Sequence, residues 1–327
     1  MKKSLGILLT NTGTPDSPSV ADVKHYLKAF LSDPRVVRLP AVLWQPLLRT
    51  VILPKRSPYS AALYQKIWTA EGSPLRTTML ALSAALEAEL ASQLPGAVHV
   101  AVGMHYGNPS IPAALEHLRL KKIEELVVLP LFPQYSTSTT ETTRMQVQAC
   151  LDKTPELPSS FISHYAQYPL YIDALVKQIQ KQHTPDRHLL FSFHGLPQYF
   201  VKKGDPYPEH CQQTASLVAQ ALGLSTHEWT LAYQSRLGYA KWLSPYTFET
   251  LEALAKNGQK RISVVCPGFS VDCLETLEEI QMRGKEAFLQ AGGEDFQYIP
   301  ALNATAAHIT TLVEMLKETF LHYTSNS

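Results

Sequence analysis

Short β-type apolar runs alternate with helical patterns from one end of this chain to the other, and few architectures accommodate that alternation. Leu5–Leu9, Val98–Val102 and Glu125–Leu131 read as strands in the first half. Leu189–Phe193, His227–Tyr233, Ile262–Cys266 and Phe296–Ile299 do so in the second. Between them lie stretches with apolar residues at helical spacing, among them Ser19–Leu31, Tyr59–Trp68, Pro74–Leu94, Asp272–Gln290 and Ala304–His322. Such an order implies an α/β fold of parallel sheets with right-handed crossovers and helices on both faces.

A length of 327 residues suits two modest domains or one large α/β unit. A weak internal echo favours two. Leu126–Ser136 and Ile262–Ser270 each run strand, Pro, Phe, then a polar helix start. The economical reading is two similar Rossmann-like halves, 1–160 and 161–327, facing each other across an active-site cleft. The boundary is expected between Thr154 and Tyr168, with the last helix packing back on the first half.

Lys+Arg 29 against Asp+Glu 28 gives a net charge of +1, so no basic excess points to nucleic acid. The cysteines Cys150, Cys211, Cys266 and Cys273 form no C-x-x-C pair and no zinc spacing, as expected of reduced thiols in a cytoplasmic protein. The apolar run after Lys2-Lys3 is too short for a signal peptide and reads as the first strand. The longest apolar stretch, Pro40–Pro54, contains Gln45, Arg49 and three prolines. It falls short of the roughly 20 uninterrupted apolar residues that a membrane span needs. It can touch a bilayer but not cross it.

The run His188–Pro197 is an apolar strand that stops at His194-Gly195-Leu196-Pro197. Ligands of parallel α/β sheets bind outside the carboxyl ends of strands. A histidine there can change protonation near neutral pH or ligate a metal, although capping a strand is the commoner role of any single histidine. A second unusual strand end follows in Val264–Glu275. At about 100° per residue, Asp272, Glu275 and Glu279 share one helical face. Acids in a first turn are ordinarily solvated and favoured by the helix dipole. Converging with His194 on one sheet edge, they would instead serve a divalent cation, proton relay, or both. Tyr135 and Ser136 open a hydroxyl-rich helix entry, suited to capping and also to holding an anion. Lys55 and Arg56, beside the apolar stretch, are either solvated surface charges or partners for a flat apolar ligand bearing carboxylates. No G-x-G-x-x-G, Walker loop or G-x-S-x-G elbow is present.

With these residues in view, the chain resembles the ferrochelatase family over nearly its whole length. The resemblance rests on Leu9–Pro15, Met104–Gly107, Leu131–Ser136, Ser192–Pro197, Tyr233–Arg236, Trp242–Pro245 and Cys266–Glu279. It implies two Rossmann-like domains with a porphyrin between them and insertion of ferrous iron into protoporphyrin IX, the terminal step of haem synthesis. By resemblance, His194 and Glu275 flank the porphyrin centre as catalytic and metal-binding groups, and Glu279 and Asp272 belong to an acidic path. Tyr106 and Trp242 line the pocket by the same resemblance, and Tyr135, Ser136, Lys55 and Arg56 are expected from their chemistry to meet the porphyrin, the basic pair through its propionates. The 40–54 lip is the family's membrane-contacting segment, which would make the protein peripheral at the inner membrane. Iron enters as substrate, a monomer is expected, and no prosthetic group is. The ending Tyr323–Ser327 lacks the cysteines that hold an iron–sulfur cluster in some members, so no cluster is expected. Two further departures concern His105, where many relatives carry another residue, and Cys273, where animal relatives carry histidine. Alternatives are a chelatase for coproporphyrin or sirohydrochlorin, and a non-catalytic haem or porphyrin carrier.

Overall fold

The computed structural model describes residues 4–37, 39–152, 156–236, 238 and 240–325. Of the features expected above, Lys2, Lys3, Thr154 at the edge of the boundary, and Asn326 and Ser327 of the chain end lie outside them.

Two four-stranded parallel sheets carry the chain. The first comprises β1 (Leu5–Thr14), β2 (Val98–Gly107), β3 (Glu125–Pro130) and β4 (Ser159–Phe161), in the order β2-β1-β3-β4. The second comprises β5 (His188–His194), β6 (Trp229–Gln234), β7 (Arg261–Val265) and β8 (Asp295–Ile299), in the order β6-β5-β7-β8. Each sheet thus orders its strands second, first, third, fourth. The segments that echo one another in sequence are the third strands, β3 and β7. Parallel strands covered on both faces need continuous apolar runs. Ile7, Leu8 and Leu9 in β1 and Leu189, Leu190 and Phe191 in β5 are accordingly fully buried.

The chain divides into two compact units. One comprises Met1–Leu131, Thr137–Ser163 and Leu312–Ser327; the other comprises Phe132–Ser136 and His164–Thr311. Leu8, Leu126, Val128 and Val147 centre one core of the first unit. Leu190, Val264, Ile280 and Phe296 centre one of the second.

Three local features differ from the sequence expectation. β1 does not turn at Thr10 but runs on to Thr14, paired to Gly107 of β2. Gly13 makes this possible. Its φ is +108°, and a Cβ there would stand 1.8 Å from the Tyr106 carbonyl oxygen. The proline-rich lip is not irregular. Helix Ala41–Leu47, a π-helical stretch Leu48–Ile52 and helix Leu53–Ile67 follow one another without a break. Pro40 caps the first of these helices, Pro46 lies inside it, and Pro54 is the second residue of the last. Finally, the expected helix Asp272–Gln290 is π-helical over Glu275–Gly284 and α-helical only over Lys285–Gln290.

Candidate active site

His194 is the last residue of β5 and is half-buried. Its ring Nδ1 lies 2.7 Å from the carbonyl oxygen of Gly195. A carbonyl only accepts, so Nδ1 carries the proton, and in the neutral ring Nε2 presents its lone pair. The His194 carbonyl in turn accepts from the Tyr207 hydroxyl at 3.0 Å, which anchors the backbone at this strand end. Gly195 sits where no side chain fits. A Cβ would lie 2.5 Å from the Gln234 carbonyl oxygen and 3.1 Å from Trp242 Cε3. Trp242 is held there by backbone pairing of its segment, with Gln198 N–H donating to Lys241 O at 2.8 Å and Leu243 N–H to Leu196 O at 2.9 Å.

The π-helix supplies the acids. With i→i+5 bonding, residues four and five apart stack along one face, so Glu275 and Glu279 still project together. Glu275, half-buried, opens the helix, and Glu279 is 8% exposed. The Glu279 carboxylate accepts from the Ser235 backbone N–H at 2.8 Å and from the Ser235 hydroxyl. Burial pushes its pKa above the ordinary glutamate range, and the Glu275 charge adds to that rise. Ser235, His194 and Arg283 oppose it without cancelling it. Glu278, on another face, is fully buried and paired to Arg283 at 2.7 Å.

A carboxyl whose pKa is raised on folding binds more protons folded than unfolded. Stability is therefore lost as pH rises from the ordinary glutamate value, about 4.3, through the raised one. The variant Glu279→Gln lacks that loss. It is expected to melt higher than the wild type at pH 8, with the gain shrinking to nothing near pH 4. Melting curves across that range check it; a gain that did not change with pH would contradict the raised pKa.

Asp272 is buried. It precedes the π-helix, and its Oδ1 accepts from Tyr298 Oη at 2.5 Å and Thr276 Oγ1 at 2.9 Å. Its Oδ2 accepts from Asn303 Nδ2 at 2.7 Å. These partners tie the helix start to the end of β8. The 100° periodicity behind the expected stripe holds for an α-helix and does not describe this segment. Cys273 is buried, and burial followed by the Glu275 charge pushes its thiol well up.

Tyr135 and Ser136 belong to the same unit. Tyr135 N–H donates to His210 Nδ1 at 3.2 Å, and the Ser136 hydroxyl to Asp205 at 3.1 Å. Tyr106, Lys55 and Arg56 belong to the other unit. The Tyr106 hydroxyl donates to Asp33 at 2.9 Å, and Asp33 is clamped by Arg35 through 2.7 and 2.8 Å contacts. His105 is within 2.6 Å of the Thr143 hydroxyl; burial, then Arg35, pushes its pKa down to about 3. Lys55 is exposed, and Arg56 is partly buried with its pKa lowered by that burial. Among the described residues, no group of three or more His, Cys, Asp or Glu side chains is arranged to hold a metal ion. Sequence reasoning did not assign Gln234, Ser235, Asp33 or Asp205. A run of polar residues closing a buried strand, Gln234-Ser235, was the available signal for the first two.

The ferrochelatase family model matches residues 4–320. The chain is 50% identical over 314 residues to a ferrochelatase of Actinobacillus pleuropneumoniae serotype 7, covering 96% of this chain and 98% of that protein. It is 46% identical over 318 residues to a coproporphyrin III ferrochelatase of Streptococcus mutans, covering 97% and 99%. In fold it is similar to SirB from Bacillus subtilis, solved with Fe3+, at a TM-score of 0.58 and 12% identity over 98% of this chain and 96% of that one. With a family model spanning both sheets and relatives this similar over nearly their full lengths, the chain belongs to the ferrochelatase family.

Proposed function

We propose that this chain inserts ferrous iron into protoporphyrin IX, with His194 and Glu275 at the reacting centre. The observation that carries the proposal is the His194 ring. It is fixed through Nδ1 to Gly195, offers Nε2, and interacts electrostatically with Glu279 of the π-helix, which in turn feels the Glu275 charge. Insertion exchanges the pyrrole N–H protons for a divalent ion, with no change of oxidation state. It requires a base for those protons and a ligand that receives iron from water. An imidazole lone pair and a carboxylate provide both. Glu279, capped by Ser235, extends the acidic path, while Asp272 acts as a structural anchor. Trp242, Tyr135, Ser136 and Tyr106 are proposed porphyrin contacts, and Lys55 and Arg56 are proposed to meet propionates. The ion is a substrate, and no resident cofactor or cluster is part of the proposal.

Protoporphyrin is preferred over coproporphyrin because the latter bears more propionates. The balanced composition, 29 basic against 28 acidic residues, offers no excess of cations to meet them. Anaerobic assays with ferrous iron and each porphyrin, following loss of porphyrin fluorescence, decide the matter. The expected kcat/KM ratio favours protoporphyrin by about tenfold or more; faster coproporphyrin turnover would reverse the assignment. Binding of haem without turnover would make the protein a carrier.

No helix among the described residues is long and apolar enough to cross a membrane. Val42 is 84% exposed and Leu43 72%, with Leu39, Leu47 and Val51 also exposed. An apolar row of this kind suits a bilayer surface. Running the same assay with phospholipid vesicles tests this contact. Wild-type protein should co-sediment with them, and a Val42→Ser/Leu43→Ser variant should not.

A further inference from the structure

His194 and the two π-helical glutamates come from separate elements, and one dipeptide, Gln234 fully buried and Ser235 half-buried, bonds to the segments that carry all three. Gln234 closes β6 with no exposed surface. Its backbone carbonyl accepts the N–H of Gly195, next to His194, at 2.7 Å. Its side-chain Nε2 donates to the backbone carbonyl of Glu275 at 2.9 Å. Its Oε1 accepts from Ser192 Oγ at 2.7 Å, within β5 itself, and lies 3.6 Å from Cys266 Sγ at the end of β7. The amide therefore has no freedom to turn over. Reversing it would set its oxygen against the Glu275 carbonyl, two acceptors with no proton between them.

Ser235 continues the arrangement. Its φ is 63°, a conformation uncommon outside glycine, asparagine and aspartate. That turn aims both its N–H and its hydroxyl at the Glu279 carboxylate. Strain of this kind persists where surrounding contacts hold it, and it clusters at functional sites. The widened helix adds a reason for external support, since π-helical stretches are rare and usually no more than a single turn.

We infer that Gln234 and Ser235 are positioning residues that register the π-helix, and with it Glu275 and Glu279, against His194 for metal insertion. The inference rests on the metal-insertion reading above. Gln234 acts on the helix through the Glu275 backbone and Ser235 through the Glu279 carboxylate. Neither is assigned a contact with iron or porphyrin. Their loss should disturb the chemical step more than porphyrin binding, because small displacements of reacting groups cost rate steeply.

The variant Gln234→Met keeps the volume and removes the amide. Thr247→Val serves as a control. It deletes another buried hydroxyl, 2.8 Å from Ser192, without touching Gln234. Steady-state assays with porphyrin and ferrous iron are expected to show kcat reduced about 10- to 100-fold in Gln234→Met. Its porphyrin KM should stay within about twofold, and Thr247→Val should stay near wild type in both constants. Amide hydrogen exchange should quicken in Glu275–Gly284 of Gln234→Met while β5 and β7 stay protected. A kcat within about twofold of wild type, a change confined to KM, or equal losses in the control would overturn the inference. Should Gln234→Met not fold, Ser235→Gly decides, because glycine keeps the turn and the N–H and loses only the hydroxyl. A fall in its kcat at constant KM supports the assignment, and an unchanged kcat overturns it. Wild-type protein in the same assay separates the two levels. If it turns over no porphyrin, the metal-insertion reading fails; if it does and the variants match it, only the positioning role fails.

Discussion

Replacing His194 with alanine is expected to abolish metal insertion while porphyrin binding stays within a few-fold of wild type. The expectation follows from how little of the fold the ring supports. The backbone at this strand end is held by the Tyr207 hydroxyl on the His194 carbonyl and by Gly195 N–H on the Gln234 carbonyl. Both survive truncation of the side chain. What is lost is Nε2, oriented by the Nδ1 bond to Gly195, and with it the proposed base and metal donor. General acid–base groups of this kind contribute roughly 10²–10⁴-fold, so residual turnover should sit near the background of the assay. Fluorescence quenching measures porphyrin affinity separately from turnover. A His194→Ala protein with near-normal turnover would remove the imidazole from the mechanism. A protein that neither binds porphyrin nor melts cooperatively would show that the residue serves the fold instead.

The position of this histidine was readable from sequence because two strong local signals coincide. A buried apolar run and a Gly-Leu-Pro stop need no knowledge of distant residues. The same locality explains β5, β7 and the repeated strand order, whose third members carry matching strand-Pro-Phe runs. β1 was read short because Asn11, Gly13 and Pro15 are turn formers in isolation. Only the partner strand shows that Gly13 is there for the Tyr106 carbonyl. The partners of Asp272 were illegible for a related reason. Its carboxylate is satisfied by Tyr298 and Asn303, 26 and 31 residues further on, and no local pattern announces such partners. The π-helix was out of reach altogether, since apolar spacing does not distinguish i→i+4 from i→i+5 bonding over so short a stretch. That helix nevertheless keeps Glu275 and Glu279 on one face, as the α-helical periodicity also would.

Glu275→Gln is expected to lower turnover about 100-fold, against about tenfold for Glu279→Gln, and the asymmetry follows from what each carboxylate already does. Glu279 is buried and receives both the N–H and the hydroxyl of Ser235, so much of its accepting capacity is committed. Glutamine retains the shape and one acceptor oxygen for those donors. Glu275 is less buried, stands at the first position of the π-helix, and is held through its backbone carbonyl, while its carboxylate meets the weak donor of the Cys273 thiol. Its side-chain neighbour is the Cys273 thiol, which burial and the Glu275 charge keep in its neutral form. On the proposed reading the Glu275 carboxylate is the acid left to take a proton or an ion; an amide accepts no proton near neutral pH and brings no charge to hold a divalent ion. Single-turnover insertion with preloaded porphyrin separates this loss from binding, and both variants should bind porphyrin within a few-fold of wild type. If Glu279→Gln proves the more damaging, the carboxylate capped by Ser235 is the reacting one, and Glu275 becomes the relay that feeds it.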